Sequence, residues 1–233
     1  MKQALITGGA RGIGFGIARA MLAAGYGVTV TGLTATEVAG VPAHENLRAV
    51  SLDVTNDSDV AACIAGLTRL DALVNCAGMV LRDGKEFAIE GFQKVIDVNL
   101  TGTMRMCVAA KPLLEKQGGA IVNIASIWSF FGGPLVPAYT ASKGGVAQLT
   151  KALAVAWAPT IRVNAIAPGW IETELTKAAQ DDPVRSDAIV SRTPFGRWGK
   201  PEDIGGAAVF LCSQAAGFIT GTVLPVDGGY TAK

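Results

Sequence analysis

The chain has 233 residues, 50% of them hydrophobic and only 6% aromatic, with a formal net charge of +1. That length fits one large domain, and an interior of Ala, Val, Ile and Gly suits parallel strands covered by helices on both faces. A near-neutral charge without basic runs excludes a nucleic-acid footprint, and no segment reaches the roughly 18 uninterrupted apolar residues of a membrane span. At the start, Gly8 and Gly9 cut the apolar run before it can act as a signal-peptide core, so a cytoplasmic location is expected. Cys63, Cys76, Cys107 and Cys212 lie scattered in apolar stretches without metal spacing, as free cysteines do in a reducing compartment. The lone histidine, His44, sits in a polar connector, and no metal site is expected.

In chain order, Gln3 to Thr7 is a short apolar run that predicts a first strand. It leads into Thr7-Gly8-Gly9-Ala10-Arg11-Gly12-Ile13-Gly14, after which Ile13, Ile17, Ala20, Met21 and Ala24 recur at helical spacing and Gly25 stops the helix. Strand, glycine turn and helix together form the context of a dinucleotide fingerprint. Gly8 allows the tight turn, Gly12 lets the backbone approach a pyrophosphate, and Gly14 lets the helix pack on the strand. Further strands are predicted at about 27–32, 47–52, 71–75, 119–125, 160–166 and 222–226, and helices at about 12–24, 57–66, 86–116, 138–157 and 201–213. The alternation predicts right-handed crossovers and a single α/β domain over residues 1–233, a Rossmann-type doubly wound sheet of about seven parallel strands flanked by helices. Gly40 and Pro42 interrupt the segment from Leu33 to Arg48, so its crossover helix should shrink to a turn or so. Thr176 to Thr193 is polar and carries Asp181-Asp182-Pro183 and Arg185, which predicts a mobile lid within about 170–200.

The chemistry-bearing cluster lies between these segments. Ser126 precedes Tyr139 by thirteen positions, and Lys143 follows Tyr139 by four. On a helix that last spacing puts phenol and ammonium on one face, a turn apart. Free tyrosine has a pKa of about 10. A lysine charge about 4 Å away, at an effective dielectric of about 20, would stabilise the phenolate by roughly 4 kcal/mol, about three pKa units. Tyr139 would then exchange a proton near neutrality.

The signposts occur in one order: Thr7-Gly8-x-x-x-Gly12-Ile13-Gly14, Leu52-Asp53-Val54, Asn75-Cys76-Ala77-Gly78, Asn99, Ser126, Tyr139-x-x-x-Lys143, Pro168-Gly169-Trp170-Ile171-Glu172-Thr173 and Pro201-Glu202-Asp203-Ile204. With this set the chain resembles the short-chain dehydrogenase/reductase family from Thr7 to Gly229. The resemblance implies hydride transfer between a nicotinamide and a small carbonyl–alcohol pair, a polyol, sugar or hydroxy compound. It makes Tyr139 the general acid or base and has Lys143 lower its pKa and bind the nicotinamide ribose. Ser126 would hold the substrate oxygen, and Asn99 a water that links Lys143 to solvent. It places Gly8, Arg11, Gly12, Ile13 and Gly14 at the phosphates, and Asp53 and Val54 around the adenine. Asn75, Ala77 and Gly78 follow at the fourth strand's end, with Pro168, Gly169, Ile171 and Thr173 over the nicotinamide. Ser126, Tyr139, Trp128 and Trp170 would line the substrate pocket.

For the cofactor, Gly32 stands where NAD-selective members carry a carboxylate, and Arg11 could pair with a 2′-phosphate, while Leu33 occupies the place of a second basic residue. The expectation is NAD(P)(H), both forms accepted and NADP(H) slightly favoured. Apolar residues on more than one face of the helices at 86–116 and 138–157, namely Met104, Met106, Val108, Leu113, Leu114, Val146, Leu149, Leu153 and Val155, agree with the homotetramer that the resemblance implies. Two other functions compete. A 3-oxoacyl-carrier-protein reductase would need a basic patch for its acidic carrier, and only scattered arginines are present. A non-catalytic nucleotide-sensing regulator would have lost Tyr139 or Lys143.

Overall fold

The computed structural model describes residues 1–233. Seven strands form one sheet: β1 (Gln3–Thr7), β2 (Gly27–Gly32), β3 (Leu47–Ser51), β4 (Ala72–Asn75), β5 (Ala120–Ile124), β6 (Arg162–Pro168) and β7 (Val223–Val226). Their order is β3-β2-β1-β4-β5-β6-β7, and every pair is parallel. All residues of β2, β4 and β5 are buried, as in parallel strands covered by helices on both faces.

Adjacent residues of a strand point to opposite faces, and β1 divides the core accordingly. Ile6 packs with Ile17 and Met21 of α1 (Gly12–Ala23) and with Ile204 and Leu211, which belong to the helix Pro201–Cys212. Leu5 packs on the other side with Val60, Met106, Leu114 and Leu153, from helices named below. Chain order reverses beside β1, whose neighbours are β2 and β4. A crevice therefore opens at the carboxyl ends of β1 and β4, where open sheets of this kind bind ligands.

Between β2 and β3 the crossover is α2 (Ala35–Ala39), five residues long, as the Gly40 and Pro42 interruption predicts. After it comes α3 (Asp57–Ala65). The long helix expected at 86–116 is instead divided. A 3-10 turn at Lys85–Phe87 precedes α4 (Ile89–Ile96), a π-helical turn spans Asp97–Thr101, and α5 (Gly102–Glu115) continues. The π turn holds Asn99, whose side chain bonds the backbone of Met79 instead of solvent. Such single turns accommodate one extra residue and recur at functional sites.

The catalytic segment lies in α6 (Pro137–Trp157). The polar stretch expected as a lid is largely helical: a 3-10 turn at Glu174–Thr176, then α7 (Lys177–Gln180) and α8 (Pro183–Arg192). Asp182 caps α8 by accepting from the Val184 and Arg185 N–H groups at 3.1 and 3.2 Å. Asp182-Pro183 is thus an N-cap followed by proline in the first turn, a start signal visible in the sequence. The last helix, α9 (Pro201–Cys212), lies beside α1. No helix is long and apolar enough to cross a membrane.

Candidate active site

Ser126 follows β5 with extended backbone and opens a 3-10 turn, its Oγ accepting from the Trp128 N–H at 3.2 Å. Tyr139 and Lys143 occupy the first turns of α6. The Ser126 hydroxyl is near enough to the Tyr139 phenol to favour its ionised form. The sequence-derived trio therefore meets at the carboxyl edge of the sheet. Tyr139 keeps partial exposure while Ser126 and Lys143 are buried, so the phenol is the member of the trio that faces outward.

The electrostatics differ from expectation. Burial pushes the Tyr139 phenol up to about 12; the nearby Ser126 hydroxyl opposes this, and charge at Cys76 and Glu86 adds to it. Burial likewise pulls Lys143 down to about 8, with Cys76 opposing. Lys143 does not draw the phenol toward neutrality in this geometry. Its Nζ donates to the Ile124 carbonyl at 2.6 Å and lies 5.6 Å from the centroid of the Tyr139 ring.

Asn99 is fully buried and its amide is engaged on both sides. Oδ1 accepts from the Met79 N–H at 2.8 Å, and Nδ2 donates to the Met79 carbonyl at 2.9 Å and to Ser142 Oγ at 3.0 Å. The side chain therefore clamps the loop after β4 to α6. Glu86, which sequence reasoning missed, completes the clamp. It is 1% exposed and accepts from the Leu81 N–H and the Tyr139 N–H, both at 2.9 Å.

On the opposite side of the crevice is a dinucleotide cradle. Gly8 has φ +61°, and a Cβ there would stand 2.8 Å from the Ala77 backbone, so the glycine turn touches the loop after β4. Thr7 Oγ1 ties them by accepting from the Cys76 and Ala77 N–H groups, both at 3.1 Å. A Cβ on Gly12 would reach Thr173 at 3.4 Å, which brings the loop after β6 over the same turn. Gly78 closes the group, since its Cβ would lie 3.3 Å from Asn99 Oδ1 and 3.6 Å from Lys143 Nζ. The first turn of α1 carries no acidic residue, so its N–H groups and dipole stay available to an anion. These residues fit the phosphates of NAD(P).

The remaining residues expected at the cofactor have these surroundings. Asn75 turns inward, 3% exposed, and donates to Asn123 Oδ1 at 2.9 Å and Cys107 Sγ at 3.2 Å; its side chain belongs to the core, not to the crevice. One Asp53 carboxylate oxygen is tied to the Thr55 N–H and hydroxyl at 2.9 and 2.7 Å, and Val54 is buried in the core. Pro168 and Gly169 end β6, Ile171 is buried with its carbonyl bound by the Thr176 hydroxyl, and Thr173 lies against Thr176.

The largest correction is at the adenosine end. Gly32 brings no carboxylate, but Glu37 of α2 does: its Oε2 accepts from the Leu33 N–H at 2.7 Å, and its Oε1 pairs with Arg11 at 3.1 Å. Arg11 is therefore engaged, and the site is not free of negative charge. A signal was present, because Thr34-Ala35-Thr36-Glu37 has the spacing of a capping box, which turns the acidic side chain back over the helix start.

On the substrate side, the indole of Trp128 meets that of Trp170 edge to face at 6.1 Å between centroids, and Trp170 meets Trp198 at 5.7 Å. Trp198, remote in sequence, went unrecognised. The guanidinium of Arg185 lies 5.8 Å from the Trp170 ring centroid, and that of Arg192 4.4 Å from the Tyr230 ring. Arg82, in the loop after β4, donates to the carbonyl of Leu175 and so ties that loop to the lid. A separate cavity of about 170 Å³, with Trp170, Phe195, Arg197 and Asp227 in its wall, contains none of the catalytic trio. It is the geometry of the side chains, not cavity size, that locates the chemistry.

A family model described as enoyl-(acyl carrier protein) reductase matches residues 8–231. The chain is 43% identical over 242 residues to the 2-dehydro-3-deoxy-D-gluconate 5-dehydrogenase of Bacillus subtilis, covering 100% of this chain and 95% of that protein. It is 38% identical over 244 residues to the 3-oxoacyl-[acyl-carrier-protein] reductase of Chlamydia muridarum, covering 98% and 96%. Among solved structures, a gluconate 5-dehydrogenase from Burkholderia cenocepacia in complex with NADP and tartrate superposes with a TM-score of 0.91 at 35% identity, over 100% of this chain and 96% of that one. With the parallel sheet, the glycine cradle and the Ser126–Tyr139–Lys143 arrangement in place, these likenesses settle the family: the chain belongs to the short-chain dehydrogenases/reductases and is an NAD(P)-dependent oxidoreductase of alcohols and ketones.

Proposed function

We propose that the protein interconverts a secondary hydroxyl and a ketone on a small sugar acid, with Tyr139 as general acid and base. The observation that carries this is the gathering of Ser126 at the end of β5 with Tyr139 and the buried Lys143 in the first turns of α6. In reduction, Ser126 holds the carbonyl oxygen and the neutral Tyr139 donates its proton to that oxygen. In oxidation, the phenolate takes the hydroxyl proton back. Pro168 to Thr173 would hold the nicotinamide, which would supply or accept the hydride. Lys143 is fixed to the end of β5 through the Ile124 carbonyl, which sets its ammonium behind the phenol. Asn99 acts as a positioning residue through Met79 and Ser142.

Two observations support an anionic sugar. Indole edges at Trp128 and Trp170 suit the C–H faces of a sugar, and Arg185 lies against Trp170 as a cation for the carboxylate. The likeness to sugar-acid dehydrogenases points the same way. The purified protein should be assayed by nicotinamide absorbance on keto-sugar acids, neutral polyols and a 3-oxoacyl thioester. Turnover confined to the thioester would overturn the sugar-acid reading in favour of the carrier-protein reductase.

The assembly is a homotetramer in this reading, and the free cysteines suit a cytoplasmic setting. Of the apolar residues on α5 and α6, Met106, Leu114, Val146 and Leu153 are buried within the subunit. Met104 at 37%, Val108 at 51% and Val155 at 83% are exposed, an apolar surface of the kind that subunits cover.

A further inference from the structure

The end of the lid and the C-terminal turn meet around one guanidinium. Every arginine but two pairs with a carboxylate or donates to a backbone carbonyl. Arg185 and Arg192, both on α8, have neither partner and rest on aromatic rings instead. The Arg192 guanidinium lies 4.4 Å from the Tyr230 ring centroid and 5.4 Å from that of Phe131, and the two rings are themselves 6.2 Å apart. Phe131 meets Trp128 edge to face at 5.2 Å, and the Trp128 N–H donates to Ser126 Oγ at 3.2 Å. An unbroken line of contacts therefore runs from Tyr230 through the lid to the serine beside the phenol. Tyr230 is 7% exposed and opens a 3-10 turn at Tyr230–Ala232. That turn is firmly held. Asp227 accepts from the Gly229 and Thr231 N–H groups at 2.9 and 2.8 Å, the Phe195 N–H donates to the Gly228 carbonyl at 3.2 Å, and Lys233 Nζ donates to the Ser191 carbonyl at 3.1 Å.

We propose that Tyr230 and Arg192 are positioning residues for the substrate wall. Tyr230 fixes the guanidinium, and the guanidinium fixes Phe131, so that Trp128 keeps its place beside Ser126 and the end of α8 stays docked on that wall. A planar, weakly hydrated guanidinium can rest on two aromatic faces at once, and a lysine ammonium does so less well. Neither residue belongs to the catalytic trio or to the glycine cradle. The pair therefore acts on substrate binding and leaves the chemical step and the dinucleotide alone. The proposal rests on the reading of Trp128 and Trp170 as the wall of the substrate pocket.

The test is steady-state kinetics on the keto-sugar acid reduced fastest in the panel above, with NADPH binding read by nicotinamide fluorescence. It compares the parent protein with Tyr230→Ala, Tyr230→Phe, Arg192→Met and Arg192→Lys. Tyr230→Ala and Arg192→Met should each raise KM about three- to thirtyfold, with kcat and NADPH affinity within about twofold of the parent. Combining the two should be no worse than the poorer single variant, because the residues act as one unit. Tyr230→Phe keeps the ring and should restore the parental KM, while Arg192→Lys should recover only part of it. Tyr230→Leu replaces the alanine variant if that one does not fold. A parental KM in Tyr230→Ala would overturn the pair. So would a Tyr230→Phe as impaired as Tyr230→Ala, which would make the hydroxyl a direct substrate contact, and so would an equal loss of NADPH affinity. Reduction of the thioester alone would remove the sugar-acid reading, and the same KM comparison on the thioester would then decide the pair.

Discussion

Removing the Glu86 carboxylate tests whether the catalytic helix is held by the loop it faces. Both carboxylate oxygens accept from backbone N–H groups at 2.9 Å, one from Leu81 and one from Tyr139. The Tyr139 N–H lies in the first turn of α6, where helices leave donors unpaired and favour negative charge. Glu86 is 1% exposed, so water does not readily replace it. Glu86→Ala leaves two buried donors, each worth about 1–3 kcal/mol. Relief from burying a charge offsets part of that, and the net loss should be about 2–4 kcal/mol. Glu86→Gln retains one acceptor and should lose about 1–3 kcal/mol. Urea unfolding with an unchanged slope reads both values. A second readout separates electrostatics from stability. The Glu86 charge raises the Tyr139 pKa, so its removal should move the alkaline rise of the oxidation rate to lower pH. An Ala variant within about 0.5 kcal/mol of the parent, with that rise unmoved, would refute the reasoning.

Tyr139→Phe removes the proton donor and should lower turnover about 10²–10⁴-fold, with dinucleotide binding by fluorescence unchanged. Lys143→Met should abolish turnover yet stabilise the fold at neutral pH. Burial lowers the folded-state pKa of Lys143 from 10.5 to about 8, so between those values the unfolded chain binds a proton that the folded chain has released. Stability from this residue therefore rises as pH goes from 8 to 10.5, and the full cost is present below 8. After allowing for the lost bond to Ile124, the Met variant should gain about 2 kcal/mol at pH 7, a difference that shrinks towards pH 10.5 in urea titrations. Val155→Glu places a charge on the exposed apolar face of α6 and should split the tetramer; light scattering that still gave the tetramer mass would remove Val155 from the interface.

The fold was legible where local patterns and tertiary demands agree. Gln3 to Thr7, the glycine turn and the periodic run to Gly25 read as strand, turn and helix because each step has its own chemistry. At 86–116 the helix was legible but its π turn was not, because the extra residue leaves the apolar pattern unbroken and the Asn99 bond to Met79 spans 20 positions. Ser126, Tyr139 and Lys143 were visible as residue types at a spacing. Glu86 was not, since a glutamate before a helix reads as solvated until the loop carries it under Tyr139. Asn75 is a motif position whose side chain bonds within the core, which its place in the motif did not reveal. Glu37 was missed for want of one step, from capping box to the direction its carboxylate takes.

The arrangement also explains why the groups that perform the chemistry are held by residues that do not. A phenol pushed up to about 12 and an ammonium pulled down to about 8 are both products of desolvation, so neither favours the closed site by itself. Compensation comes from neutral or fully paired neighbours. Asn99 satisfies Met79 in both directions, Glu86 satisfies Leu81 and Tyr139, and Ile124 accepts from Lys143. Because these bonds run from α6 to the loop after β4 and to the end of β5, they fix the phenol relative to the sheet edge on which the glycine cradle also sits. Hydride transfer needs that registry between two loops more than it needs either charge in isolation, and this is the reason the clamp residues are buried while the phenol keeps an open side.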